Sequence, residues 1–170
     1  MPLTAAETLY IGSTYEDEQM KKRNILFVYS YSSYPVRATT WEHLWAFSNY
    51  SKDNIFSVNL AHKSLPWYVT SVEFDLIIFH TLFLSNHWGK QEHFKQILEK
   101  ARSLKNSSAV KIALPQDEFY NSDLYSQFID EFGIDIVFSV APESEWPAIY
   151  RKVQSESVRY YQVLTGYLDD

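Results

Sequence analysis

The stretch VKIALPQDEF, residues 110–119, begins as a buried strand and ends in a cluster of polar side chains. Residues 110–114 form a short, largely apolar run, which is typical of a strand covered on both faces of a parallel sheet. The chain continues as Pro115-Gln116-Asp117-Glu118, whereas a strand that only turned would more often end in Gly, Asn or Ser. Either the chain reaches the surface at this point, or these polar groups line a site.

The same pattern, a short apolar run followed by an amphipathic stretch, recurs along the chain. Comparable apolar runs occupy residues 25–29, 55–60, 75–80 and 134–139, and residues 160–164 are a candidate for a sixth strand. This alternation predicts β-α units around a parallel sheet. We therefore expect an α/β fold, a Rossmann-like doubly wound parallel sheet of five or six strands with helices on both faces.

Apolar residues at helical spacing mark the stretches between these runs as helices. After the first run, Thr39 or Thr40 is expected to cap the helix that follows. The helix before the fifth run is expected to end at Gly133, where a C-terminal cap belongs. After the fifth run, Ser144 is expected to be the N-cap of a helix with Pro147 in its first turn.

The composition is that of a folded protein and argues against several functional classes. Of 170 residues, 46% are hydrophobic and 21% are charged, which indicates a globular domain. The net charge of −6 argues against a general nucleic-acid binder, because phosphate binding needs clustered Lys and Arg. The absence of cysteine rules out disulfides and cysteine-based metal sites.

The N-terminal region lacks the features of a targeting segment. Residues 1–19 have neither the basic start nor the apolar core of a secretory signal, and no apolar run is long enough to span a bilayer. We therefore expect a cytoplasmic protein without a transmembrane segment. Weak periodicity and an acidic patch at residues 16–18 predict a flexible arm over residues 1–23, followed by one domain over residues 24–170.

Polar side chains follow four of the predicted strands at the end where ligands bind in parallel sheets. In chain order these candidates for a site are Ser30, Ser32, Ser33, Arg37, His80, Thr81, Gln116, Asp117, Glu118 and Glu143. Because the carboxyl ends of parallel strands meet at one edge of the sheet, we expect these side chains to lie close together.

Each cluster also has an interpretation without function. His80 follows a run of apolar residues and could be a core histidine. Asp117 and Glu118 could simply start the connection to the next helix. Glu143 precedes a predicted helix, where the helix dipole stabilises a carboxylate in any case.

Several motifs with known chemistry do not occur. The chain has no G-x-G-x-x-G or G-x-x-x-x-G-K-[ST] loop to hold phosphates and no G-x-S-x-G elbow of the α/β-hydrolase type. The five histidines include no H-E-x-x-H. We therefore expect neither a metal site nor a cofactor.

Four stretches together resemble the N-terminal domain of GT-B glycosyltransferases of the large group 1 class. They are ILFVYSYSSYPVRATTWEHLWAF, FDLIIFHTLFLSNHW, VKIALPQDEF and IDIVFSVAPESEWPAIY, and the resemblance covers residues 24–170 as an order of elements. It implies that the chain is the acceptor-side half of an enzyme with a second, C-terminal domain, and that this half alone is inactive. The implied reaction transfers a sugar from a nucleotide-sugar donor to an acceptor glycan or another hydroxyl acceptor, without a bound metal.

The resemblance also implies roles for residues at the cleft. In that family a strand similar to FDLIIFH ends in a histidine at the cleft, so His80 would hydrogen-bond the transferred sugar. The polar turn after the next strand is similar to PQDE, in which Gln116 stands in the place of a histidine. Asp117 or Glu118 would then orient or deprotonate the acceptor hydroxyl.

The loop after the first strand departs from the family pattern. Many members have a glycine-rich loop there that admits the donor phosphates, and this chain has no glycine in it. Either Ser32, Ser33 and Arg37 contact the phosphates instead, or this loop contacts only the acceptor. The missing glycines and the acidic charge also suit a non-catalytic flavodoxin-like or receiver-like module that binds a ligand or a protein, and this alternative stays open.

Overall fold

The computed structural model describes residues 21–33 and 35–164, which form one six-stranded sheet. The strands are β1 (Asn24–Tyr29), β2 (Asn54–Asn59), β3 (Leu76–Phe79), β4 (Val110–Ala113), β5 (Ile136–Ser139) and β6 (Arg159–Gln162). Each lies on one of the apolar runs that predict a strand. Most of the predicted N-terminal arm, residues 1–20, lies outside the described part, as do residues 165–170.

All neighbouring strands pair in parallel, in the order β2-β1-β3-β4-β5-β6. This confirms the predicted doubly wound parallel sheet. The order reverses between β1 and β3, because the chain moves outwards from β1 to β2 and then crosses back past β1. The first five positions match the flavodoxin-like arrangement, in which the ligand crevice lies at the carboxyl ends of the two strands at the reversal.

Five α-helices lie between the strands of the described chain. They are α1 (Ala38–Tyr50), α2 (Thr81–Leu84), α3 (Gln91–Lys100), α4 (Ser122–Phe132) and α5 (Trp146–Ile149). Short 3-10 helices occupy residues 67–70, 85–88, 102–106 and 143–145. Among the helices of residues 21–33 and 35–164, none combines the length and the apolar character that crossing a membrane requires.

The helix ends test the predicted caps. Gly133 follows α4 with φ of 62°, a left-handed conformation that glycine adopts without strain, so this prediction is confirmed. The N-cap of α1 is Arg37 rather than either predicted threonine, and the N-cap of α5 is Glu145 rather than Ser144. Those two predictions were wrong. Neither N-cap side chain bonds to its helix, so tertiary packing rather than capping sets both ends.

The main core lies on the face of the sheet that α3, α4 and α5 cover. Phe79 of β3 packs edge-on against Phe128 and Phe132 of α4, with ring centroids 5.2 and 5.5 Å apart. All three side chains are fully buried, and burial of each contributes about 1.5–3 kcal/mol. This cluster fixes β3, and therefore the position of the residues that follow it.

The opposite face of the sheet is covered only in part. Leu44 of α1 packs with Phe27 of β1 in a second, smaller core. Over β5 and β6 this second core has no member within the described ranges, and Val110 at the start of β4 and Tyr161 of β6 are 38% and 46% exposed. Phe138 lies beside Tyr161 and is half-buried. We call Val110, Phe138 and Tyr161 the open face, since it lacks the cover that parallel sheets normally have.

Candidate functional site

Two cavities lie at the carboxyl ends of the strands. The histidine cavity has a volume of about 490 Å³, and its polar lining includes Arg37, Thr39, Thr40, His43, His80 and Gln116. The carboxylate cavity has a volume of about 540 Å³, and its lining includes Asp117, Glu118, Phe119, Ala141, Glu145 and Ile149. The histidine cavity contains the residues that follow β3 at the reversal of strand order, which is where this fold places its ligand.

His80 follows β3 directly and is held on both sides of its ring. It is 1% exposed and is the N-cap of α2, where its Nδ1 accepts a hydrogen bond from the backbone N–H of Leu82 at 3.0 Å. Its Nε2 lies 2.9 Å from Nδ1 of His43 on α1. The two rings are 4.8 Å apart between centroids. The histidine pair therefore links the end of β3 to the first half of α1.

Both histidines are held in the neutral form. Burial, and to a smaller extent the neighbouring His43, lowers the pKa of His80 from 6.5 to about 3. Partial burial also lowers the pKa of His43, although the residue as a whole is exposed. At neutral pH the pair thus offers hydrogen bonds to a ligand but no positive charge.

Other groups of the histidine cavity come from the segments after β3 and β4 and from Arg37 at the end of the loop after β1. Thr81 donates from Oγ1 to the carbonyl oxygen of Leu114 at 2.8 Å, which ties the ends of these two strands together. Arg37 and Gln116 are exposed and line the same cavity. Trp88 adds an aromatic surface and is 39% exposed. An aromatic surface beside several hydrogen-bonding groups suits a ring-bearing, hydroxylated ligand.

Asp117 lines the carboxylate cavity and has an unusual backbone conformation. Its φ is 52°, in the left-handed region that Asp and Asn tolerate better than other non-glycine residues. The side chain is exposed, and its carbonyl oxygen accepts a bond from the N–H of Tyr120 at 3.1 Å. Glu145 lines the same cavity, whereas Glu143, which we predicted as a substrate-binding residue, lines neither.

Glu118 is buried and its carboxylate is fully engaged by the loop after β5. Oε1 accepts from the N–H of Val140 at 2.8 Å and of Ala141 at 3.4 Å, and Oε2 accepts from Oγ of Ser139 at 2.8 Å and from the hydroxyl of Tyr150. Burial and the charge of Glu118 raise the pKa of Tyr150, which keeps its hydroxyl protonated and donating. These contacts favour a structural role, in which Glu118 fixes one loop to another.

The start of the loop after β1 lies apart from both cavities, and of the described loop residues only the last, Arg37, lines one of them. Asn59, the last residue of β2, accepts from the N–H of Tyr31 at 3.1 Å and donates to its carbonyl oxygen at 2.9 Å. These two bonds fix the start of the loop. Ser30 is buried, Ser32 and Ser33 are exposed, and none of the three lines either cavity.

His43 lines the histidine cavity but is not among the candidates predicted from the sequence. The signal was the spacing of α1, since Thr39, Thr40 and His43 recur three or four positions apart and line one cavity. Leu44, one position further on, packs into the core instead. A polar face of this kind on the helix after β1, beside the predicted reversal of strand order, could have identified the residue.

In residues 21–33 and 35–164, no group of three or more His, Asp or Glu side chains could hold a metal ion. No family model, curated protein or solved structure matches this chain. Its function is therefore inferred from the fold and from the chemistry of the two cavities.

Proposed function

We propose that the chain is the acceptor-side domain of a GT-B glycosyltransferase and binds a sugar or another hydroxylated ligand in the histidine cavity. The observation that carries the proposal is His80, a histidine directly after β3 at the reversal of strand order, in a cavity with hydrogen-bonding and aromatic groups. Polyhydroxylated rings are recognised by this combination, in which an aromatic surface covers the ring and donors and acceptors contact the hydroxyls.

The proposed roles divide between the two cavities. Gln116 contacts the ligand in the histidine cavity, and Arg37 supplies the positive charge that a donor phosphate needs as the leaving group develops charge. Asp117 follows Gln116 in the chain and lines the neighbouring carboxylate cavity. From there it orients the acceptor hydroxyl or accepts the proton of that hydroxyl. Glu118 holds in place the loop after β5, which contributes to the lining of both cavities.

The open face supports the proposal that this domain works with a second one. Phe138 and Tyr161 lie side by side on β5 and β6, Val110 lies at the start of β4, and the described chain leaves these apolar side chains partly exposed. In a doubly wound sheet such a surface is normally covered by helices. We propose that the C-terminal part of a two-domain enzyme covers it, and that transfer activity needs that part.

Ligand-observed NMR of the 170-residue chain tests the sugar site. The probes are UDP-glucose, GDP-mannose and methyl β-glucoside, and we expect saturation transfer to at least one of them. The signal should fall strongly in Trp88→Ala and in Gln116→Ala, because both residues line the cavity. Trp67→Ala is the matched control, since Trp67 is 81% exposed and lines neither cavity. No transfer to any probe, or equal loss in the control, would contradict the proposed site.

The strand order favours a second candidate function. The order that begins β2-β1-β3-β4-β5 is that of flavodoxin-like domains, whose ligands occupy the crevice beside β1 and β3. A non-catalytic module of this type would bind a flavin or a nucleotide rather than a sugar. Adding FMN and UMP to the same NMR panel separates the two candidate functions. Binding of FMN or UMP, with no response to methyl β-glucoside or GDP-mannose, would favour the binding module.

A further inference from the structure

We propose that His43, rather than His80, is the histidine that contacts the ligand, and that it does so as a neutral N–H donor at Nε2. The identity of the ligand as a hydroxylated sugar rests on the proposed function. The direction of the hydrogen bond follows from the contacts of the two histidines with each other and with the N–H of Leu82, whatever the ligand. The structure thus assigns a recognition role to a residue of α1 and a positioning role to the histidine of β3.

The backbone of α2 fixes the tautomer of His80. The N–H of Leu82 can only donate, so Nδ1 of His80 is the unprotonated nitrogen. A neutral imidazole has one N–H, which in His80 must then be on Nε2. That N–H points to Nδ1 of His43 at 2.9 Å and donates to it.

The same reasoning fixes the tautomer of His43. Since its Nδ1 accepts from His80, the proton of the neutral ring is on Nε2. His43 is exposed and lines the histidine cavity, so this N–H is presented to a ligand there. Three consecutive donors, Leu82 N–H, His80 Nε2–H and His43 Nε2–H, therefore point in one direction.

The chain of donors excludes His43 as a general base. Both of its nitrogens are committed, one as acceptor from His80 and the other as an N–H, so it has no lone pair for a substrate proton. Protonation of His43 would put two N–H groups against each other across the 2.9 Å contact and break the pair. Within the described part of the chain, Arg37 is the other ionisable side chain that lines this cavity with the two rings, and the cavity has no carboxylate lining that would favour a charged imidazole.

These properties define what His43 recognises. A neutral N–H donor pairs with an oxygen that has a free lone pair, such as a sugar hydroxyl, and stabilises negative charge that develops on it. His80 has both nitrogens occupied by protein groups, so it acts through His43 and not by direct contact. Proton removal in glycosyl transfer then falls to another group, and Asp117 is the exposed carboxylate that we propose for it.

The tautomers can be measured without any ligand. In a ¹H–¹⁵N long-range NMR spectrum of the whole chain at pH 7, we expect both rings to be Nε2–H tautomers with unprotonated Nδ1. Both should keep this pattern below pH 6, where an imidazole with the ordinary pKa is charged. The exposed rings of His62 and His93 serve as internal references in the same spectra. An Nδ1–H tautomer or a charged ring for His43 at pH 7 overturns the proposal whatever the ligand.

The recognition role is tested with whichever of UDP-glucose, GDP-mannose and methyl β-glucoside gives saturation transfer. That probe should shift the Nε2–H signal of His43, and His43→Ala should weaken its binding about 3- to 10-fold, the value of one hydrogen bond. His43→Gln, which keeps a donor and an acceptor, should recover part of the loss, and His93→Ala should bind as the wild type does.

The two failures are distinct. If a probe binds but leaves the His43 signal and the affinity of His43→Ala unchanged, the recognition role is refuted and the proposed function stands. If no probe binds, the proposed function and the ligand contact fail together, while the tautomer measurement still decides the hydrogen-bond direction.

Discussion

The buried carboxylate of Glu118 allows a quantitative test of which acidic residues hold the structure together. In Glu118→Ala the N–H of Val140 and the hydroxyl of Tyr150 lose the acceptor that they have in the wild type. The other two donors have alternatives, because the N–H of Ala141 also bonds to Oγ of Ser139 at 3.2 Å, and that hydroxyl can turn to the carbonyl oxygen of Ala141 at 3.5 Å. The substitution thus leaves the buried hydroxyl of Tyr150 and the half-buried N–H of Val140 without that acceptor.

Each buried unsatisfied donor costs about 1–3 kcal/mol. The cavity left by the missing side chain adds to this, so the free energy of unfolding should fall by about 3–5 kcal/mol. For a domain of this size that is a decrease in Tm on the order of 10 °C. Glu118→Gln should cost only about 1 kcal/mol, because its amide oxygen can accept from Val140 and its NH₂ can donate to the oxygens of Tyr150 and Ser139.

Urea denaturation followed by tryptophan fluorescence measures both changes, and Trp146 is a local reporter because its Nε1 donates to Oγ of Ser139 at 3.0 Å. Glu145→Ala is the matched control, since this exposed glutamate lines the same cavity and should change stability by less than about 0.5 kcal/mol. A loss below about 1 kcal/mol in Glu118→Ala would refute the structural role. Glu118→Gln with wild-type stability but no ligand binding would instead favour the catalytic role.

Three further predictions concern His80, Gly133 and Phe128. His80 has a lower pKa in the folded chain, about 3, than in the unfolded chain, so its contribution to stability is full above pH 6.5 and is lost as the pH falls. Between pH 6 and pH 5 the wild type should lose about 1 kcal/mol more than His80→Asn in urea titrations, and equal losses would contradict the shift. Gly133→Ala should cost about 1 kcal/mol by the same assay because φ is 62°, whereas Gly89→Ala, without positive φ, should cost less. Phe128→Ala should cost about 3–5 kcal/mol, since the ring is fully buried, and Phe119→Ala, 70% exposed, should change little; similar values for both would refute the assigned core.

The sheet could be predicted from the sequence because burial on both faces leaves a direct signal. A strand of a parallel sheet is a short apolar run whichever face is considered, so the runs at 25–29 and 75–80 identify β1 and β3 without knowledge of their partners. The first residue of a helix has no comparable pattern in this sequence. α1 begins after Arg37, whose side chain makes no capping bond, because packing of Leu44 on the sheet decides where this helix lies.

The candidate site could be predicted only where it follows a strand. His80 and Gln116 come at the ends of apolar runs, and the rule for ligand sites in parallel sheets places both at the edge where the histidine cavity lies. His43 lies on a helix, and its contact with His80 joins residues 37 positions apart, which no local pattern specifies. The serines after β1 satisfy the same rule as His80, yet they lie outside the cavities because Asn59 fixes the start of their loop.

The polar end of VKIALPQDEF serves two purposes, and the backbone of Asp117 separates them. Gln116 is exposed in the histidine cavity, Asp117 is exposed in the carboxylate cavity, and Glu118 is buried beneath the loop after β5. Three consecutive residues of an extended strand would alternate between two faces. The left-handed φ of 52° at Asp117 turns the chain instead, so that two side chains line the two cavities and the third is buried in the interior. A residue that disfavours this conformation at position 117 would therefore disturb both cavities at once, which makes its backbone as important to the site as its carboxylate.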